Sequence, residues 1–136
     1  MTNEEKKKSR IEKAVDIKSR FDKNCIIHQS LQLIGNKWTL LVIMSLIKEK
    51  KRTHQIQEEV IGISSKVLSQ TLKKLLSFKI VTKKIYPVVP PKVEYSLTEF
   101  GKTLINPLDS LFIWSLENET TIRDLYEKNS KKKSAD

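Results

Sequence analysis

Between residues 62 and 78 the chain reads Gly-Ile-Ser-Ser-Lys-Val-Leu-Ser-Gln-Thr-Leu-Lys-Lys-Leu-Leu-Ser-Phe. Val67, Leu68, Leu72, Leu75 and Leu76 recur at three- and four-residue intervals. A helix therefore collects them on one side and leaves Lys66, Ser69, Gln70, Lys73 and Lys74 on the other. Ser64 or Ser65, just ahead of the pattern, supplies a hydroxyl able to accept from an unpaired N–H of the first turn. One side of this helix requires a core and the other a polar partner.

The same pattern places the neighbouring elements. Residues 26–34 carry Ile27, Leu31 and Ile34 at helical spacing and stop at Gly35, after which Asn36 can cap a new start. Residues 38–48 are apolar almost all round, which predicts the central helix of the core. A charged connector, residues 48–52, leads to a short helix over residues 53–59 that offers Ile56 and Val60 to the interior. The turn Ile61-Gly62-Ile63 joins it to the basic helix, and two helices around a tight glycine turn form a helix-turn-helix pattern. Residues 80–86 and 93–97 are β-rich, Val93, Tyr95 and Leu97 alternating with Glu94 and Ser96, while Pro87, Pro90 and Pro91 belong to the loop between them. A hairpin directly after a recognition helix is a wing. Thr98 then caps a long helix carrying Phe100, Leu104, Leu108, Leu111, Phe112 and Trp114, with a kink expected at Pro107. Thr121 and Asp124 fit a capping box for a short last helix, and residues 129–136 read as a disordered basic tail. At the other end Ile11, Ala14, Val15 and Phe21 share a helical face, which fits a docking helix as well as a frayed extension. The expected organisation is a charged extension (1–24), one mainly α domain with a small hairpin (25–118) and a tail (119–136).

Charge narrows the partner. Twenty-six Lys and Arg stand against 16 Asp and Glu, a formal net charge of +10, which favours nucleic acid or another anionic surface. From Ser64 to Lys84 every charged residue is a lysine, the footprint expected of a polyanion site. The expected DNA contacts are Ser64, Ser65, Lys66, Ser69, Gln70 and Lys73 on the helix and Lys83, Lys84 and Lys92 on the wing. Serines and lysines suit phosphates, and Gln70 suits an adenine edge in the major groove. The apolar side of the last long helix exceeds what one small domain covers, so Leu108, Leu111, Phe112 and Trp114 are expected at a homodimer interface. No apolar run reaches membrane-spanning length and the lysine-rich start lacks a signal-peptide apolar block, so a cytoplasmic protein with no membrane partner is expected.

Catalytic chemistry is poorly supplied: one cysteine, two histidines and no glycine-rich phosphate loop. Cys25 and His28 lie three apart but lack an acidic orienter or an oxyanion motif, so neither an enzyme nor a resident metal or cofactor is expected. His54 is expected on the exposed face of its helix. Cys25 fits two readings. Cysteine is often simply buried, yet this one follows a charged stretch at the start of a helix, where amide dipoles and cationic neighbours make a thiol reactive.

Several ordered motifs resemble the HxlR-type winged helix-turn-helix regulators of bacteria, relatives of the MarR group. They are Cys25 with Leu31, Ile34, Gly35, Lys37 and Trp38; Gly62-Ile63-Ser64 with Leu68, Leu72 and Leu75; and Tyr86, Pro90-Pro91, Val93-Glu94-Tyr95, Leu97-Thr98 and Gly101. The resemblance runs from Cys25 to about Trp114. Departures include Ile26 for a usual proline, Asn36 for a second glycine, Thr53 for a phenylalanine and Val88 for an acid. Lys79 stands where the family generally has glycine after the recognition helix. The resemblance implies a homodimer on inverted-repeat operators, mostly repressing, with members that use the matching cysteine to sense oxidants or electrophiles. The expectation is thus a dimeric, sequence-specific repressor of winged helix-turn-helix fold, its terminal helices forming the interface. The alternatives are a nonspecific architectural nucleic-acid binder and a winged helix that docks on an acidic protein.

Overall fold

The computed structural model describes residues 2–7, 10 and 23–135, and the expected face of Ile11, Ala14, Val15 and Phe21 lies outside them. Two compact units divide the chain, residues 1–37 and 38–136. In the first, residues 3–7 are helical. Thr2 Oγ1 accepts from the Glu5 N–H at 3.2 Å and Glu5 Oε2 accepts from the Thr2 N–H at 2.8 Å, a reciprocal cap. Helix α1 (Ile26–Ile34) follows, with Cys25 as its N-cap residue and Gly35 as its C-cap. A Cβ on Gly35 would stand 2.3 Å from the Leu31 carbonyl oxygen, so only glycine closes that end as it stands.

The second unit begins with α2 (Lys37–Ser45), which buries Thr39, Val42, Ile43 and Ser45. It stops earlier than its apolar sequence suggests, and Leu41 is exposed. The Lys51 ammonium donates to the Ser45 carbonyl and to the Glu59 carboxylate, satisfying the helix end from outside. The connector has a further role, because Lys51 and Tyr95 exchange two backbone hydrogen bonds of 2.9 and 2.8 Å, adding a one-residue bridge to the edge of the wing. Helix α3 (Thr53–Glu59) buries Ile56, and α4 (Ser65–Ser77) buries Leu68, Thr71, Leu72 and Leu75. Each such leucine contributes about 1.5–3 kcal/mol by leaving water, enough to fix which side of α4 faces outward.

Helix α4 ends in a Schellman motif: Ile80 N–H donates to the Leu75 carbonyl at 3.0 Å and Lys79 N–H to that of Leu76 at 3.1 Å. Lys79 accordingly takes φ +57°, the left-handed conformation that strains a side chain bearing Cβ. Lys79→Gly is expected to stabilise the protein by about 0.5–1 kcal/mol in urea titration with unchanged m-value.

Strands β1 (Val81–Tyr86) and β2 (Lys92–Leu97) pair antiparallel, with Val81 opposite Leu97 and Tyr86 opposite Lys92. Beyond them the expected long helix is two. Helix α5 (Glu99–Lys102) is capped by Thr98, whose hydroxyl accepts from Gly101 N–H at 2.9 Å and donates to the Ile80 carbonyl at 3.1 Å. Helix α6 (Ile105–Glu117) starts after a break at Thr103–Leu104. Pro107 therefore sits in the first turn of α6, where its missing N–H leaves no bond unmade, and does not kink a continuous helix. Helix α7 (Glu119–Ala135) replaces the expected short helix and tail. Thr121 and Asp124 lie inside it, and Glu119–Arg123 and Glu127–Lys131 ion pairs at i,i+4 spacing support its exposed length.

Candidate nucleic-acid interface

The turn between α3 and α4 sets the position of the polar face. Gly62 adopts φ +93°, open to glycine and strained for other residues, and the chain reverses there with Val60 and Ile63 buried on either side. Ser64 is the N-cap of α4, its hydroxyl oxygen accepting from the Val67 N–H at 3.1 Å. The Ser65 hydroxyl accepts from Gln57 Nε2 at 3.1 Å, which ties α3 to the first turn of α4. Both serines therefore brace the turn, and each keeps an O–H able to donate to a phosphate oxygen.

Lys66, Ser69, Gln70 and Lys73 are all exposed. Among the described residues no hydrogen bond or ion pair occupies their side chains. Leu68, Leu72 and Leu75 hold the opposite side in the core. The result is a rigid helix presenting two ammonium groups, a hydroxyl and a carboxamide outward. A shallow cleft of about 170 Å³ lined by Thr53, Ser69, Lys73, Lys83 and Tyr95 joins this face to one side of the wing.

The wing does not present its three lysines together. Along β1 and β2, Lys83 shares a face with Tyr95, and Lys84, Tyr86, Lys92 and Glu94 share the other, because alternate residues of a strand point oppositely. Only Lys83 faces the recognition helix. On the far face Glu94 accepts from Tyr86 Oη at 3.1 Å and pairs with Lys92 at 3.1 Å and Lys50 at 3.3 Å. The Lys84 and Lys92 ammonium groups lie 4.9 and 5.2 Å from the centre of the Tyr86 ring. The expected clean alternation of β2 is also absent: residues 92–96 are half-buried on both sides and only Leu97 is buried.

Hydrogen bonding from Lys92 draws the Glu94 carboxyl below the usual carboxylate range. Tyr86 and Lys50 act in the same sense against the opposing effect of burial. The Lys50 ammonium is raised, chiefly by its bond to Glu94. A folded carboxyl below its unfolded value stabilises at neutral pH and loses that contribution as pH falls through the depressed value. Glu94→Gln should lack that component, so urea midpoints followed from neutral to acid pH should fall less steeply than in the wild type. Parallel profiles would show that the cluster adds nothing to stability.

The expected interface residues divide as well. Leu108 is buried within its own unit, beside Met44, Ile47 and Ile105 in a cleft of about 400 Å³, and is a core residue unavailable to a second chain. Leu111, Phe112 and Trp114 remain about half exposed, joined by Ile113 and Leu116. His54 is exposed, as its helical position suggests. Sequence reasoning missed Thr53, Lys50 and Tyr95. Thr53 was legible as the first residue of a helix and as a departure from the family's phenylalanine, and Lys50 only as one charge among several.

Residues 33–122 match the HxlR-like helix-turn-helix family. The chain belongs to that family. This HxlR-like protein is 39% identical over 90 residues to an uncharacterised helix-turn-helix transcriptional regulator of Methanothermobacter thermautotrophicus, the match covering 66% of this chain and 69% of the relative. A crystal structure from Porphyromonas gingivalis W83, described as a MarR-family regulator, superposes with TM-score 0.69 at 36% identity, covering 73% of this chain and 97% of that one. The redox regulator HypR in its oxidised form superposes with TM-score 0.66 at 36% identity, covering 69% and 97%. The HxlR-like chain is a transcriptional regulator of winged helix-turn-helix fold. Among the described residues, no helix is long and apolar enough to cross a membrane.

Proposed function

We propose that the protein binds an inverted-repeat operator as a homodimer and represses transcription, each α4 entering a major groove. The observation that carries this reading is the outward face of Lys66, Ser69, Gln70 and Lys73, unoccupied by other described side chains on a helix whose other side is buried. Gln70 reads an adenine edge, Lys66 and Lys73 neutralise phosphates, and Ser64, Ser65 and Ser69 donate to phosphate oxygens. Of the wing lysines, Lys83 stands beside Lys73 and extends the phosphate track. Two-fold symmetry places the half-sites about one helical turn, or a multiple of it, apart. The second copy covers the apolar surface of α6 beyond Leu108.

Cys25 is the proposed switch. It occupies the N-cap of α1, is half-buried, and its side chain makes no capping hydrogen bond, so the sulfur has no structural duty to lose. The likeness to a redox regulator supports the same role. Two Cys25 thiols of a dimer would give up two electrons and two protons to a peroxide, which leaves as water, and close an interchain disulfide. With the same peroxide as oxidant, again reduced to water, one Cys25 sulfur could instead close a mixed disulfide with a small thiol, whereas an electrophile would bond to one sulfur with loss of its thiol proton and no oxidant. The test is a footprint on the DNA upstream of the protein's own gene, with native protein and Cys25→Ser, before and after oxidant. A protected palindrome released by oxidant only in the native protein supports both parts. Protection spread over the whole duplex would indicate an architectural binder, and an oxidant response retained by Cys25→Ser would remove the switch.

A further inference from the structure

The far face of the wing gathers Lys50, Lys84 and Lys92 around one carboxylate, that of Glu94. Lys50 comes from the connector ahead of α3, Lys92 from the start of β2 and Tyr86 from the end of β1. The Glu94 side chain is only 12% exposed, whereas those of Lys50 and Lys92 are 61% and 36% exposed. The acid is thus the enclosed member and the lysines its more exposed partners. Lys84 lies directly opposite Glu94 in the strand register.

We propose that Glu94 is an electrostatic restraint on the wing, holding Lys50 and Lys92 off the DNA backbone so that sequence-independent affinity stays low and the recognition helix decides where the protein binds. The physical basis is twofold. A lysine bridged to a carboxylate must give up that partner before it releases a counterion from DNA, so its phosphate contact gains less. Even with both lysines swung away, the enclosed carboxylate still repels phosphates nearby. The cluster Lys50, Lys84, Lys92 and Glu94 sums to +2 where the lysines alone would be +3. A regulator must reject a great excess of nonspecific sites, and reducing backbone attraction at the wing lowers that background without touching Gln70.

This inference rests on the DNA-binding reading, and the salt dependence of binding separates the two. The probe is a duplex of random sequence. Glu94→Gln keeps an oxygen to accept from Tyr86 Oη and is nearly isosteric. It should steepen the log–log salt slope by about 0.9 if one lysine is freed and about 1.8 if both are. At about 0.1 M salt this corresponds to an affinity gain on the order of 10- to 60-fold. In the wild-type background Lys50→Ala with Lys92→Ala should leave the slope nearly unchanged, and added to Glu94→Gln the same pair should restore it. A slope unmoved by Glu94→Gln, in protein that is fully folded at the assay pH and temperature, overturns the restraint. Should Glu94→Gln fold poorly, the lysine pair decides: a wild-type slope flattened by that pair means both lysines already contact phosphate. Wild-type protein that binds no duplex even at low salt would sink the DNA-binding reading and this inference together, whereas binding with an unmoved slope sinks only the inference.

Discussion

Trp114→Glu, alone or with Phe112→Glu, should yield a folded monomer whose affinity for the footprinted operator is lower by about 10²–10⁴, the range over which joining two binding modules amplifies one. Beyond Leu108, Leu111, Phe112, Ile113, Trp114 and Leu116 are each about half exposed. Five large apolar side chains within two turns leave an unfavourable contact with water that the proposed second copy would remove. Because the same half exposure means the monomer's interior does not depend on these positions, a carboxylate there should leave the melting of a single subunit near its starting value. Leu108→Ala is the contrast: it opens a cavity in the core and should cost about 2–5 kcal/mol of stability. Sedimentation velocity reads the assembly and operator titration reads the affinity. A Trp114→Glu protein that remains a dimer and binds with undiminished affinity would place the interface elsewhere.

Gln70→Ala should separate specificity from affinity. A bidentate carboxamide–adenine contact discriminates by about 1–3 kcal/mol. The variant should therefore lose roughly 5- to 150-fold for the operator and almost nothing for a random duplex. Lys73→Ala should behave in the opposite manner, weakening both duplexes together and flattening the salt slope by about 0.9. Paired titrations of operator and random duplex across a salt series report both quantities. If Gln70→Ala weakens the two duplexes equally, Gln70 does not read a base, and the sequence preference must come from another residue or from DNA shape.

Much of this site could be read along the chain because its parts are local. The stripe of Leu68, Leu72 and Leu75, the Ser64 cap and the Gly62 turn lie within a few residues of one another, and spacing alone fixes their relation. The strain at Lys79 was equally legible, since a residue where glycine is usual announces a left-handed cap. Elsewhere the local signal misled. Phe100 and Trp114 share an apolar periodicity, yet the chain breaks at Thr103–Leu104 between α5 and α6. The close approach of Gly101 to Ile80, where an added Cβ would stand 2.1 Å from the carbonyl oxygen, ties α5 to the end of the recognition helix.

The sequence by itself determined the helix-turn-helix with its wing, and which face of α4 is polar, because periods of 3.6 and 2 and the φ preferences of glycine are written into neighbouring residues. Tertiary structure alone decided which cations are free. Lys66 and Lys73 stand open, whereas Lys92 is drawn to Glu94, and Lys50 joins it from a connector far off in the chain. It decided likewise that Leu108 belongs inside while Trp114 stays half in water. A charge or an apolar group carries its type in the sequence, but its partner is fixed by where the chain returns in space, and Coulomb energy and burial depend on that distance.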